Sequence, residues 1–138
     1  MLFWAGALLV LALDQVTKFL VHLTMSPNRS FGLITYVQNR GAAFGLFQGT
    51  QVFLVIAGLL VILLVYYFHL KFKSGDLLQI PLGMILGGSL GNLLDRVFRH
   101  YVVDFIDFRF WPVFNIADTC LNIGVGWLIL ILLFKKER

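Results

Sequence analysis

Four stretches of this chain, residues 1–13, 41–70, 77–94 and 119–134, contain no Lys, Arg, Asp or Glu. A helix needs about 20 mainly apolar residues to cross the hydrocarbon core of a bilayer. The 41–70 stretch has that length outright, and the other three reach it by taking in a few polar residues at one end. The pattern predicts four spans, near 2–22, 50–70, 78–97 and 115–134. The expected fold class is an all-α membrane protein of four transmembrane helices, in one domain over residues 1–138, because the spans and their connections use up the chain.

Composition supports this. Apolar residues make up 59% of the chain and charged ones 13%, eleven basic and seven acidic, against about 25% charged in ordinary soluble domains. So few charges cannot cover a soluble globule of this size. A disordered chain, a coiled coil and, with one cysteine, a disulfide scaffold are excluded as well. The net charge of +4 is scattered, without the basic-aromatic patch of a nucleic-acid binder, so no nucleic-acid partner is expected. Lys71, Lys73, Lys135, Lys136 and Arg138 sit just past span ends, the cytoplasmic pattern, whereas Arg29, Arg40, Arg99 and Arg109 load the other side almost as heavily. The first apolar stretch lacks a basic leader and a small-residue cleavage site, and an uncleaved span is expected.

The connection over about 24–49 holds Leu33-Ile34-Thr35-Tyr36-Val37, β-branched and aromatic, which reads as a short strand. The connection over 98–113 holds Asp104-Phe105-Ile106-Asp107-Phe108-Arg109-Phe110, whose alternation of period two reads as an extended segment on the membrane surface. Both connections fall on one side of the membrane and can pair into a small β-rich element over the bundle.

Polar residues inside spans are costly, at least ~2.5–3.5 kcal/mol for a charge at a span centre, so each needs a partner or a purpose. Asp14 and Lys18 lie four apart, acid first, the favourable order for an ion pair. Asn92, Asp95 and Arg96 share a face at the end of the third span, where Arg96 can pair with Asp95 or reach another carboxylate. Gly83, Gly87 and Gly91 recur every fourth residue, a ridge for close helix packing. Residues 87–91 also match the G-x-S-x-G pattern of serine hydrolases, but Ser89 lies within a span and lacks the strand-turn-helix context that a nucleophile there requires. His22, His69 and His100 have no metal-ligand spacing and read as interfacial. Asn115, Asp118 and Asn122 form a polar stripe on the fourth span. Asp118 has no basic residue within a turn, so its partner must come from elsewhere, and Asp104 and Asp107 are the nearest acids in sequence. Two carboxylates sharing a site do not readily both ionise. One then activates water while the protonated one polarises a carbonyl, which hydrolyses an amide without a nucleophilic side chain, metal or cofactor. Separately satisfied acids are the structural alternative.

Asp14-Gln-Val-Thr17-Lys18, Asn39-Arg-Gly41-Ala-Ala-Phe44-Gly45, Gly87-Gly88-Ser-Leu-Gly91-Asn92-Leu-Leu-Asp95-Arg96, Val102-Val103-Asp104-Phe105 and Phe114-Asn115-Ile-Ala117-Asp118 together resemble, in order, the motifs of bacterial lipoprotein signal peptidase (signal peptidase II). The resemblance implies an aspartyl endopeptidase of the bacterial inner membrane, using no metal or cofactor. Its substrates would be diacylglyceryl-modified prolipoproteins, cut on the N-terminal side of the lipidated cysteine. It implies Asp104 and Asp118 as the catalytic pair, and Asp14, Asn39, Asn92, Arg96 and Asn115 as residues that hold the peptide or orient the acids. Asp95 and Lys18 would be structural partners and Asp107 a surface acid. It further implies cytoplasmic termini and a site near the extracytoplasmic face, where membrane lipid and substrate meet it laterally. A monomer is the expected state.

Two other classes share some of these features. An ion-coupled transporter also carries intramembrane Asp, Asn and Lys, and a non-catalytic subunit can use them to lock helices. Clustering of the acids at span ends on one side, with no charge in the second span, argues against a path through the full thickness.

Overall fold

The computed structural model describes residues 1–41, 51–73 and 76–134. Phe44 and Gly45 of the second motif, and Lys135, Lys136 and Arg138, lie outside the described residues. The elements run α1 (Leu2–Thr24), β1 (Ser30–Phe31), β2 (Ile34–Asn39), α2 (Gln51–Lys71), α3 (Gln79–Phe98), β3 (Val102–Ile106) and α4 (Ile116–Phe134). Each helix lies within about two residues of an expected span. Three of them, α1, α2 and α4, are long and apolar enough to cross a membrane. Helix α3 has 20 residues but is not among these, because its four glycines and its Asn92, Asp95 and Arg96 dilute its apolar content.

The outward faces explain why the composition is so apolar. Leu8, Leu9, Leu13 and Leu20 of α1, Leu60 and Leu63 of α2, and Leu130 and Leu133 of α4 are all exposed. The interior holds the polar groups, with Asp14, Lys18, Gln79, Asn92, Asp95, Asp104 and Asn115 buried. This distribution suits a hydrocarbon surround, in which polar side chains turn toward the bundle interior. Helix α1 buries Phe3, Ala7, Val10, Asp14, Lys18 and Val21, a stripe of three- and four-residue steps along one side.

The glycine ridge is what brings the backbones together. A Cβ on Gly87 would stand 2.5 Å from the Ala7 carbonyl oxygen of α1, and one on Gly88 would stand 2.5 Å from the Ala117 carbonyl oxygen of α4. Both are far inside normal contact, so α3 can lie between α1 and α4 only with hydrogen at these positions. Gly83 faces Phe3, Gly87 faces Ala7 and Gly91 faces Asp14, so α1 and α3 run parallel; Gly88 against Ala117 and Gly124 against Pro81 make α4 antiparallel to α3.

The C-terminal ends of α1 and α3 and the N-terminal end of α4 therefore meet at one end of the bundle, where the sheet lies. Its order is β1-β2-β3, antiparallel throughout, with Val37 opposite Asp104 and Asn39 opposite Val102. Alternation along β3 sends Asp104 and Phe105 to opposite faces, and Phe105 packs with Val21, Tyr36 and Val103. The expected extended run to Phe110 stops at Ile106. There the Asp107 carboxylate accepts the Arg109 backbone N–H at 2.8 Å, and Arg109 takes φ 69°, which turns the chain out of the strand.

Candidate active site

Helix α4 begins with a reciprocal cap. The Asn115 side-chain oxygen accepts the Asp118 backbone N–H at 2.9 Å, and an Asp118 carboxylate oxygen accepts the Asn115 backbone N–H at 3.3 Å. This is a capping box with aspartate in place of the usual Glu or Gln. A third free donor of the first turn, the Ala117 N–H, goes to the Asp14 carboxylate at 2.9 Å. Asn115 therefore precedes the helix, and Asn122, the expected third member of its stripe, is exposed and outside the network.

The cap also holds the second acid. The Asn115 side-chain N–H₂ donates to Asp104 Oδ1 at 2.7 Å, and Asn39 donates to Asp104 Oδ2 at 2.8 Å. Asp118 Oδ1 accepts from the Asn92 amide at 2.8 Å. Asp104 and Asp118 thus meet in one polar network bridged by Asn115, although they come from a strand and a helix. Asp104 is 2% exposed, while Asp118 is partly exposed. Burial first, and the adjacent Asp118 charge second, push the Asp104 carboxyl from 3.8 up to about 7, against the opposing pull of the Asn39 and Asn115 hydrogen bonds.

Below this pair lies a buried ionic cluster. Lys18 Nζ is 2.8 Å from Asp14 and 3.0 Å from Asp95, with all three side chains at most 1% exposed. Asp95 further accepts the Val103 backbone N–H at 3.0 Å and the Arg99 guanidinium at 2.7 Å. Gln15 Nε2 donates to Asp14 at 3.1 Å and to the Gly91 carbonyl at 3.2 Å. The expected Asp14–Lys18 pair exists, but as part of a cluster spanning α1 and α3.

The remaining residues divide clearly. Asp14 bonds to neither Asp104 nor Asp118 and reaches the site through the α4 cap and through Lys18, its partner in the ionic cluster. Arg96 is partly buried, and among the described residues it donates to the Asn92 carbonyl at 3.5 Å and its Nε has no partner. Asp118, Asp104 and Asp95 are the charges that act on it, but it forms no ion pair among the described residues. Arg99 pairs with Asp95 instead, a partner the 95-to-99 spacing could have signalled. Asp107, expected as a surface acid, is 7% exposed. It ties the sheet's end together by accepting from Thr35 at 2.7 Å and pairing with Arg109 at 3.4 Å. The Thr35 hydrogen bond and the Arg109 backbone bond hold its carboxyl below the usual range.

Ser89 lies buried within α3, and its hydroxyl has no hydrogen-bond partner among the described residues. His22 is bonded to Tyr36 at 2.9 Å and His69 to Gln79 at 2.6 Å, so neither is placed to act as its base. No group of three or more His, Cys, Asp or Glu among the described residues could hold a metal ion. A cavity of about 710 Å³, with Leu20, Val21, Met25, Arg29 and Phe105 in its wall, opens beside the end of α1, and Asp104 and Asp118 are not in its lining.

Comparison with known proteins agrees with the motif order. The family model described as signal peptidase (SPase) II matches residues 6–134. A lipoprotein signal peptidase of Syntrophomonas wolfei is 45% identical, the match covering 100% of this chain and 97% of that protein. A lipoprotein signal peptidase of Halothermothrix orenii is also 45% identical, over 95% of this chain and 94% of that one. Among solved structures, a bacterial membrane enzyme determined by the in meso method superposes with a TM-score of 0.86 at 36% identity, covering 97% of this chain and 91% of that one.

Proposed function

The chain belongs to the signal peptidase II family, and from that premise we propose that it removes signal peptides from diacylglyceryl-modified prolipoproteins by an aspartyl mechanism, with Asp104 and Asp118 as the catalytic pair. Membership of the family makes it a membrane peptidase of lipoprotein processing. The observation that carries the finer reading is the meeting of two acids from separate elements in one hydrogen-bond network around Asn115. A pair so placed provides an acid and a base on either side of one water.

In this mechanism Asp118, the more exposed acid, takes a proton from water as the water oxygen attacks the scissile carbonyl carbon. Asp104, which keeps its proton up to about pH 7, hydrogen-bonds and protonates the carbonyl oxygen. Collapse of the tetrahedral intermediate returns that proton to Asp104 and passes the Asp118 proton to the leaving amine, so no net proton is consumed. Cleavage falls on the N-terminal side of the lipidated cysteine.

The same reading makes α3 a fourth span, enclosed by the others, with its polar side chains turned inward. Both termini are then cytoplasmic. Support comes from α2, whose end bearing Lys71 packs beside the start of α1 through a Phe3–His69 ring stack at 3.7 Å, opposite the sheet. The site then sits near the extracytoplasmic face of the bacterial inner membrane, where signal peptide and diacylglycerol arrive laterally from the lipid. The working unit is a monomer. Cleavage of a diacylglyceryl-modified prolipoprotein by Asp118→Asn tests the mechanism. General acid–base loss of ~10²–10⁴-fold is expected, and turnover equal to wild type refutes the pair.

A further inference from the structure

We propose that Lys18 is a positioning residue for Asp118, acting through the amide of Asn92. This inference rests on the aspartyl reading above and adds a role to a residue otherwise engaged in a buried ionic cluster with Asp14 and Asp95.

An asparagine amide has two ends of opposite character, and which end faces the catalytic acid is set by its other neighbours. Asn92 Oδ1 accepts from Lys18 Nζ at 3.0 Å and from the Asn115 amide at 3.1 Å. With its oxygen held by two donors, its Nδ2 is directed at Asp118 Oδ1, 2.8 Å away. The flipped amide would set N–H₂ against Lys18 and Asn115, donor against donor, and turn its oxygen toward a carboxylate. Asn115 alone leaves this choice weakly determined, because its N–H₂ also serves Asp104 and the Val103 carbonyl.

Lys18 is a fixed donor. Its ammonium has three N–H groups, and three acceptors surround it at 2.8–3.0 Å: Asp14, Asp95 and Asn92. The side chain is fully buried, so water does not compete for these positions. Asp14 and Asp95 are balanced by Lys18 and Arg99, which lets the ammonium give one N–H to a neutral amide. A buried cation on α1 thereby sets the donor that a catalytic acid on α4 receives, with Asn92 of α3 between them.

The test is a double-mutant cycle in the full chain in detergent, with kcat and KM for a diacylglyceryl-modified prolipoprotein normalised to folded enzyme. Lys18→Met and Asn92→Ala should each lower kcat by ~10–100-fold with little change in KM, the scale of one hydrogen bond to a charged group. The double variant should fall no more than about threefold below the weaker single variant, because both changes remove one connected contact. A multiplicative loss overturns the proposal, as does wild-type kcat in Lys18→Met. If Lys18→Met does not fold, Asp14→Asn with Lys18→Met replaces it in the cycle, leaving Asp95 paired with Arg99; wild-type kcat from that folded protein equally overturns the proposal. Asp118→Asn runs alongside: full activity there removes the aspartyl reading and this proposal together, whereas a multiplicative cycle beside an inactive Asp118→Asn removes this proposal alone.

Discussion

Replacing Asp104 by Asn should abolish turnover while making the fold more stable at alkaline pH. The carboxyl titrates near 3.8 in solvent and at about 7 in the fold. At 1.36 kcal/mol per tenfold change, ionising it in place is disfavoured by about 4 kcal/mol. The sign follows from linkage: the native state holds this proton more tightly, so wild-type stability falls as pH rises from about 4 to about 7. Between pH 5 and pH 8 the loss comes to about 2–3 kcal/mol. An asparagine has no such titration. At pH 5 it matches the protonated acid closely, since each sets one donor against the amides of Asn39 and Asn115, which now point at 104 from 2.8 and 2.7 Å. The melting temperature of Asp104→Asn minus that of wild type, measured in detergent, should therefore be near zero at pH 5 and clearly positive at pH 8. Cleavage of a lipidated precursor should fall by ~10²–10⁴-fold at both. A melting difference that is flat with pH, or that shrinks as pH rises, would refute the claim that Asp104 is a desolvated acid; turnover within a few-fold of wild type would refute its catalytic role.

Other expected outcomes follow from the same geometry. Gly87→Ala places a methyl 2.5 Å from the Ala7 carbonyl oxygen, so α1 and α3 must separate; a loss of about 1–3 kcal/mol should appear as a lower melting temperature, and an unchanged one contradicts the packing. Arg96→Ala should insert and fold normally yet cleave roughly tenfold more slowly, on the scale of one charge interaction in a partly buried site; normal cleavage reduces Arg96 to a structural residue. Because the Thr35 bond holds Asp107 below its ordinary value, the stabilisation it gives is present above that value and lost as pH falls through the native one. Amide protection at Leu33 to Thr35, measured against the intrinsic exchange rate at each pH, should fall on acidification, and not in Asp107→Asn, where the contact is already neutral.

Much of the architecture could be read directly, because lipid imposes a simple rule on length and charge. The four expected spans and the four helices of the described residues agree within about two residues, and the two surface connections, expected on one side and able to pair, do so through β2 and β3. The Asn115–Asp118 relation is legible as spacing but reads equally as a helical stripe, since a capping box and a stripe share the three-residue step. Asn122 separates the two, and only its exposure decides it. Asp107, which reads as a surface acid, is instead buried at the sheet's end, because the partners of an acid in a loop are set by the strand packed against it and sequence distance does not rank them.

The sequence by itself determined that this is a membrane protein, which residues of it are costly to bury, and to which family its motifs belong. Those conclusions depend on counts and order, which a chain carries unfolded. Tertiary structure alone decided who holds whom: that Lys18 serves Asp14, Asp95 and Asn92 at once, that Asp14 caps α4 instead of touching the acids, and that Asp104 is the buried member of its pair. Hydrogen bonds are made over about 3 Å, and residues 14, 92, 104 and 118 come within that reach of one network only because glycines let α3 lie against both α1 and α4.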